Sequence, residues 1–178
     1  MPFVTGATPR AWSDTVKRAF VVLAATLAIA GCQAKPKGPD LSAQSKAYMV
    51  SVAKEPGVKV LPSGLAFKIV RSGPSTGLRP QLQDEVKVHY EGKLVSGKVF
   101  DSSYERGQPA AMPLKGLIPA WQEALQLMRP GDEWILYVPP ALGYGAEGAG
   151  GDIPPNAALI FKIELIDVLP GPGHIQQG

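Results

Sequence analysis

Five of the thirteen aromatic residues, Tyr90, Phe100, Trp121, Tyr144 and Phe161, fall at the ends or inner faces of expected elements, and a carboxylate, Asp101, stands beside Phe100. Brought together, they would make an apolar pocket with one charge at its edge. Its two tyrosine hydroxyls would need partners if buried. Spacing alone favours a plain aromatic core. Other chemistries find no support. His89 lies on the polar side of a strand pattern and His174 near the C-terminus, and no Cys, His or Asp cluster has metal-ligand spacing. There is no G-x-S-x-G elbow and no Ser–His pair. Residues 143–148 spell G-x-G-x-x-G, but Gly150-Gly151 and Pro154-Pro155 follow, so no helix can open there as a dinucleotide site requires. The adjacent carboxylates Asp132 and Glu133 read as a solvated turn corner.

The elements that would position these residues are short. Leu65, Phe67 and Ile69 alternate with Ala66, Lys68 and Val70, the period of a half-buried strand. Val86, Val88 and Tyr90 share one face of a second strand, with Lys87 and His89 on the other. Residues 94–100 read as two strand ends around Ser96-Gly97. Ile118, Trp121, Leu125 and Met128 form one helical stripe, opened by Pro119 and stopped by Arg129-Pro130-Gly131. Alternation returns at Trp134, Leu136 and Val138, and at Phe161, Ile163 and Leu165. Strands around one short helix predict an α+β fold, an antiparallel sheet of about five strands wrapped on that helix.

The 178-residue chain has room for one ordinary domain and a tail. Its 45% hydrophobic and 19% charged content suits a packed core, and its 20 Gly and 18 Pro cluster in turns between apolar runs. The pI of about 9.0 comes mostly from the start of the chain. Without Arg10, Lys17, Arg18 and Asp14, 15 basic and 14 acidic side chains remain. No basic stripe with interleaved aromatics is left, which argues against nucleic acid as a partner.

Lys17-Arg18 precede an apolar run over 19–30 that is too short to span a bilayer comfortably. This is the plan of a signal peptide. Its close, Ile29-Ala30-Gly31-Cys32, resembles the bacterial lipoprotein signal, and Cys32 is the only Cys. The resemblance implies a leader over 1–31 and lipidation at Cys32. Gln33 rather than Asp after it implies outer-membrane export in Gram-negative members. A tether follows over 32–57, with a short helix expected within 41–54 and a turn at Pro56-Gly57.

Val88-His89-Tyr90-Glu91-Gly92 and Gly97-Lys98-Val99-Phe100-Asp101-Ser102-Ser103 strongly resemble the signature of FKBP-type peptidyl-prolyl cis-trans isomerases. So do Leu117-Ile118-Pro119-Ala120-Trp121, Gly143-Tyr144-Gly145, Ile153-Pro154-Pro155-Asn156 and Leu159-Ile160-Phe161, in the family's order. Residues 123–128 and the Gly150-Gly151 loop lean toward the macrophage infectivity potentiator branch, and residues 57–65 are typical of bacterial envelope members. The resemblance implies an isomerase domain over 58–169, a flexible tail over 170–178, and a pocket of Tyr90, Phe100, Asp101, Leu117, Ile118, Trp121, Tyr144, Ile153 and Phe161. Trp121 would be the floor, and Tyr90, Phe100 and Phe161 the walls. The Ile118 N–H and the Tyr144 hydroxyl would hold substrate carbonyls. Asp101, Tyr144 and Phe100 would act on the proline amide.

That reaction breaks no covalent bond. Resonance sets a barrier of about 18–20 kcal/mol to rotation about the peptide C–N bond. Moving from tens of seconds to milliseconds asks for about 5–6 kcal/mol, within reach of a dry pocket and a few placed hydrogen bonds. No cofactor or metal is implied. The implied partners are proline-containing unfolded or exported polypeptides, macrolide FKBP ligands, and a membrane reached through the lipid anchor. The chain would then be an outer-membrane lipoprotein facing the periplasm, and a monomer, since little precedes residue 58. Ala110, Ala149 and Asp152 depart from the family's usual rim, which bears on substrate range. The rival expectation is a non-catalytic proline-segment binder or holdase chaperone.

Overall fold

The structure, a computed structural model, describes residues 39–172. The leader over 1–31, Cys32, the tether up to residue 38, and the tail from residue 173 with His174 lie outside the described residues.

Seven antiparallel strands form one sheet: β1 (Val58–Val60), β2 (Ala66–Arg71), β3 (Glu85–Leu94), β4 (Val99–Ser102), β5 (Ala110–Pro113), β6 (Glu133–Val138) and β7 (Leu159–Leu169). Their order is β1-β2-β6-β7-β3-β4, with β5 also on β3. The expected count of about five falls short because β1 and β5 are three and four residues long, too short to show alternation. β5 and β4 divide one edge of β3, covering Glu85–Val88 and Glu91–Lys93 respectively.

The alternating residues of β3, β6 and β7 meet in the core as their spacing predicts. Val86, Val88, Leu136, Val138, Ile163 and Leu165 are fully buried, beneath the helix α2 (Pro119–Leu125). Ala120, Trp121, Ala124 and Leu125 turn inward from that helix. It ends before Met128, which is nevertheless fully buried in the same core. With Pro119 at its start, α2 lacks only an N–H that would have had no helical acceptor.

β2 departs from the alternating pattern. Ala66 and Phe67 are both buried, while Ile69 is 38% exposed. The reason is a second helix, α1 (Ser42–Val52), on the other sheet face. There Val52, Ala66 and Tyr137 form a small separate core with Tyr48, Met49, Val58, Ile135 and Ile160. The helix expected within the tether is thus packed against the sheet. Leu41 N–H donates to Pro155 O, and the Ser45 hydroxyl to Asn156 O.

Asp132 is not the solvated corner its position suggests. It is buried, and its carboxylate accepts the N–H groups of Gly73 and Arg129 at 2.6 and 2.9 Å. It ties the turn before β6 to the loop after β2, because carboxylates satisfy otherwise unpaired backbone donors well. Glu133 beside it pairs with Lys162 and Arg71.

Candidate active site

A cavity of about 270 Å3 opens between α2, β3, β4, β7 and the loop after β6, lined by Tyr90, Phe100, Asp101, Met112, Gly116, Leu117, Ile118, Trp121, Tyr144 and Phe161. Eight of the nine residues expected at the site therefore converge. The ninth, Ile153, does not reach the lining. It is buried in the main core, its backbone paired with Ala149 across the loop. That turn consumes the hydrogen-bonding groups and orients the side chain inward.

The aromatic rings lock at right angles. Tyr90 meets Trp121 edge-on at 5.1 Å, Trp121 meets Phe161 at 5.3 Å, and Phe161 meets Phe100 at 5.7 Å. Edge-to-face contacts satisfy the ring quadrupoles and fix each wall relative to the floor. The Trp121 indole N–H is buried and donates to no group among the described residues. Gly92 makes the close approach of the walls possible. A Cβ there would lie 2.7 Å from both the Phe100 and Phe161 rings.

The polar side is a triangle of three residues. The Tyr90 hydroxyl donates to Asp101 Oδ2 at 2.5 Å and accepts from Arg106 Nη2 at 2.8 Å. Arg106 also pairs with Asp101 Oδ1 and lies over the Tyr90 ring. Burial pushes the Asp101 carboxyl up. The hydrogen bonds from Tyr90 and Arg106, the Arg106 charge and the Ser102 N–H pull harder the other way, so it stays below the usual carboxylate range. Asp101 is thus held as an anion at the edge of an apolar cavity. Burial chiefly, with the negative Asp101 as a second cause, raises the Tyr144 hydroxyl, which remains a neutral donor.

Sequence reasoning missed Met112, Gly116 and Arg106. Arg106 sits in an exposed turn with no periodicity. Its only signal is an Arg five positions after the expected carboxylate. At the rim, Ala110 lies on β5 opposite Val88, and Asp152 forms an ion pair with Lys98 at 2.8 Å, linking the loop after β6 to the β3–β4 turn. A larger cavity of about 450 Å3 lies between α1, β1 and Pro139-Pro140, but no aromatic and no carboxylate lines it. Among the described residues, no group of three His, Cys, Asp or Glu side chains could hold a metal ion.

The family model for FKBP-type peptidyl-prolyl cis-trans isomerase matches residues 77–166. The chain belongs to this family. The FKBP match spans β3 through most of β7, which includes every residue lining the cavity. A Coxiella burnetii protein named peptidyl-prolyl cis-trans isomerase Mip is 54% identical over 125 residues, covering 70% of this chain and 54% of that protein. A Legionella longbeachae protein named outer membrane protein MIP is 46% identical, covering 74% of this chain and 56% of its own. The crystal structure of FkpA from Escherichia coli superposes with a TM-score of 0.69 at 45% identity, covering 73% of this chain and 60% of that one. The chain spans about half the length of the curated relatives it matches.

Proposed function

We propose that this FKBP domain is a peptidyl-prolyl cis-trans isomerase acting on proline-containing segments of unfolded or exported polypeptides. The observation that carries the reading is the aromatic cavity floored by Trp121, with Asp101 fixed at its edge by Tyr90 and Arg106. A proline ring fits a small apolar slot. A proline ring seated there displaces water, and apolar surroundings favour the twisted amide, since twisting removes the charge separation that resonance gives the planar form. The Ile118 N–H and Tyr144 hydroxyl receive carbonyls on either side, and Phe100 and Asp101 face the rotating bond. No nucleophile takes part.

The test is acceleration of cis-to-trans isomerisation in a chromogenic proline tetrapeptide, with Trp121→Ala as the control. Tight binding of such peptides without acceleration would support the holdase reading instead. A macrolide FKBP ligand should compete at the same cavity.

We further propose that residues 1–31 are a lipoprotein leader and that Cys32 is acylated, placing the domain 58–169 and its docked helix at the envelope, on the periplasmic side of the outer membrane. The Ile29-Ala30-Gly31-Cys32 motif supports this, as does the name of the Legionella relative, outer membrane protein MIP. Cys32→Ser should move the protein from the membrane to the soluble fraction or block its maturation. Unchanged fractionation would sink the idea.

A further inference from the structure

The Ile118 N–H shares one planar peptide unit with the Leu117 carbonyl. No cis peptide bonds are present among the described residues, and in a trans unit the carbonyl and the N–H point in opposite directions. Whatever holds the carbonyl therefore aims the N–H.

Leu117 and Ile118 are both extended, with φ/ψ of −87°/168° and −60°/150°. No helical bond fixes the plane between them, and the Ile118 N–H donates to no group among the described residues. The carbonyl is held by Gln122 of α2, whose Nε2 donates to Leu117 O at 2.7 Å and to Lys115 O at 3.1 Å. An amide nitrogen carries two hydrogens, and two carbonyls accept them, so the side chain is fully committed. Gln122 itself stands on a rigid base. Its neighbours Ala120, Trp121 and Ala124 are buried, and its own carbonyl accepts from Gln126 Nε2 at 2.9 Å.

We propose that Gln122 is a positioning residue, which aims the Ile118 N–H into the Trp121 cavity by gripping the far end of the same peptide plane. Donation to the carbonyl also polarises the amide and strengthens its N–H as a donor. This rests on the proposed isomerase reading, in which that N–H receives a substrate carbonyl.

Three variants of the full chain separate aiming from mere packing: Gln122→Met, Gln122→Glu and Gln122→Lys. All introduce straight-chain residues of comparable helix propensity, but only Lys can still donate. For the tetrapeptide Ala-Leu-Pro-Phe on a chromogenic anilide, KM should rise about five- to tenfold in Gln122→Met, the worth of one hydrogen bond. It should rise further in Gln122→Glu, whose carboxylate opposes two carbonyls. Gln122→Lys should stay within about twofold of the parent, with kcat little changed throughout. The Ile118 amide resonance should shift in the same order. An order that follows side-chain size, or an Ile118 resonance unmoved in Gln122→Glu, overturns the proposal. Should the parent chain show no isomerase activity, the functional reading falls alone, and the Ile118 resonances still decide whether Gln122 sets the plane. Misfolding of Gln122→Met would leave the Lys and Glu variants, which differ in donor capacity, to decide it.

Discussion

Phe100 and Asp101 are consecutive in β4, yet both line the same cavity. A regular strand sends neighbouring side chains to opposite faces. The register explains the exception: Gly92 pairs with Asp101 and Lys93 with Val99, leaving Phe100 as an extra residue without a partner on β3. Such a bulge re-aims a side chain locally. Here it places an apolar wall and an anion side by side, the pairing that the proposed chemistry needs.

Asp101→Asn should keep the fold and weaken catalysis. The amide can still accept from the Tyr90 hydroxyl, but it loses the charge that faces Arg106. Charge-assisted hydrogen bonds contribute about 1.5–3 kcal/mol, so kcat/KM is expected to fall about tenfold to a hundredfold. The tetrapeptide assay on the purified variant checks this. Full activity would show that the carboxylate is structural.

The same carboxylate predicts a pH dependence of stability. Its folded value lies below the ordinary 3.8. A group depressed on folding stabilises fully above its unfolded value and loses that contribution as pH falls through the folded one. The difference in Tm between the parent and Asp101→Asn should therefore be constant above about pH 5 and close below about pH 4. The Asp101 side chain is 42% exposed, so solvent screening keeps the difference small. A gap that widens in acid would contradict the assignment.

Gly92→Ala should disturb the walls directly. Its Cβ would press at 2.7 Å on Phe100 and Phe161 together, and both rings are already committed to edge contacts. Overpacking of this kind costs about 1–3 kcal/mol. Calorimetry should show a lower Tm, and the affinity for a proline peptide should fall with it. A variant with unchanged binding would mean that the walls can separate freely.

How much of this was legible depended on what each residue faces. Val86, Val88 and Tyr90 announce β3 because a single core lies on one side. The strand β2 was legible by the same alternation, but the burial of Ala66 was not, because α1 covers the face that alternation assigns to solvent. Trp121 was readable from its helical stripe. The sharing of one side by Phe100 and Asp101 was not, since a bulge leaves the sequence pattern unaltered. Arg106 and Asp132 each act through two hydrogen bonds made from loops, and no periodicity encodes those. Ile153 follows a family motif in sequence, but the turn pairing with Ala149 withdraws it from the cavity.

The last prediction concerns how α1 is held. Tyr48, Met49 and Val52 face the sheet and pack with Ala66 and Tyr137, and Ser45, one turn earlier on the same face, adds a polar contact. Ser45, at 2% exposure, accepts the Ala158 N–H at 2.7 Å and donates to Asn156 O at 2.7 Å. One hydroxyl thus satisfies both groups of the backbone leading into β7. Ser45→Ala would leave a buried N–H and a carbonyl unmatched, and a stranded buried group costs about 1–3 kcal/mol. The expected result is a Tm lower by several degrees. Activity at low temperature should be retained, because Ser45 lies outside the Trp121 cavity. If Tm is unchanged, the helix is held by Val52 and its neighbours alone. If activity falls while Tm holds, the strand start at Leu159 transmits the change to Phe161, and the two helices serve one site.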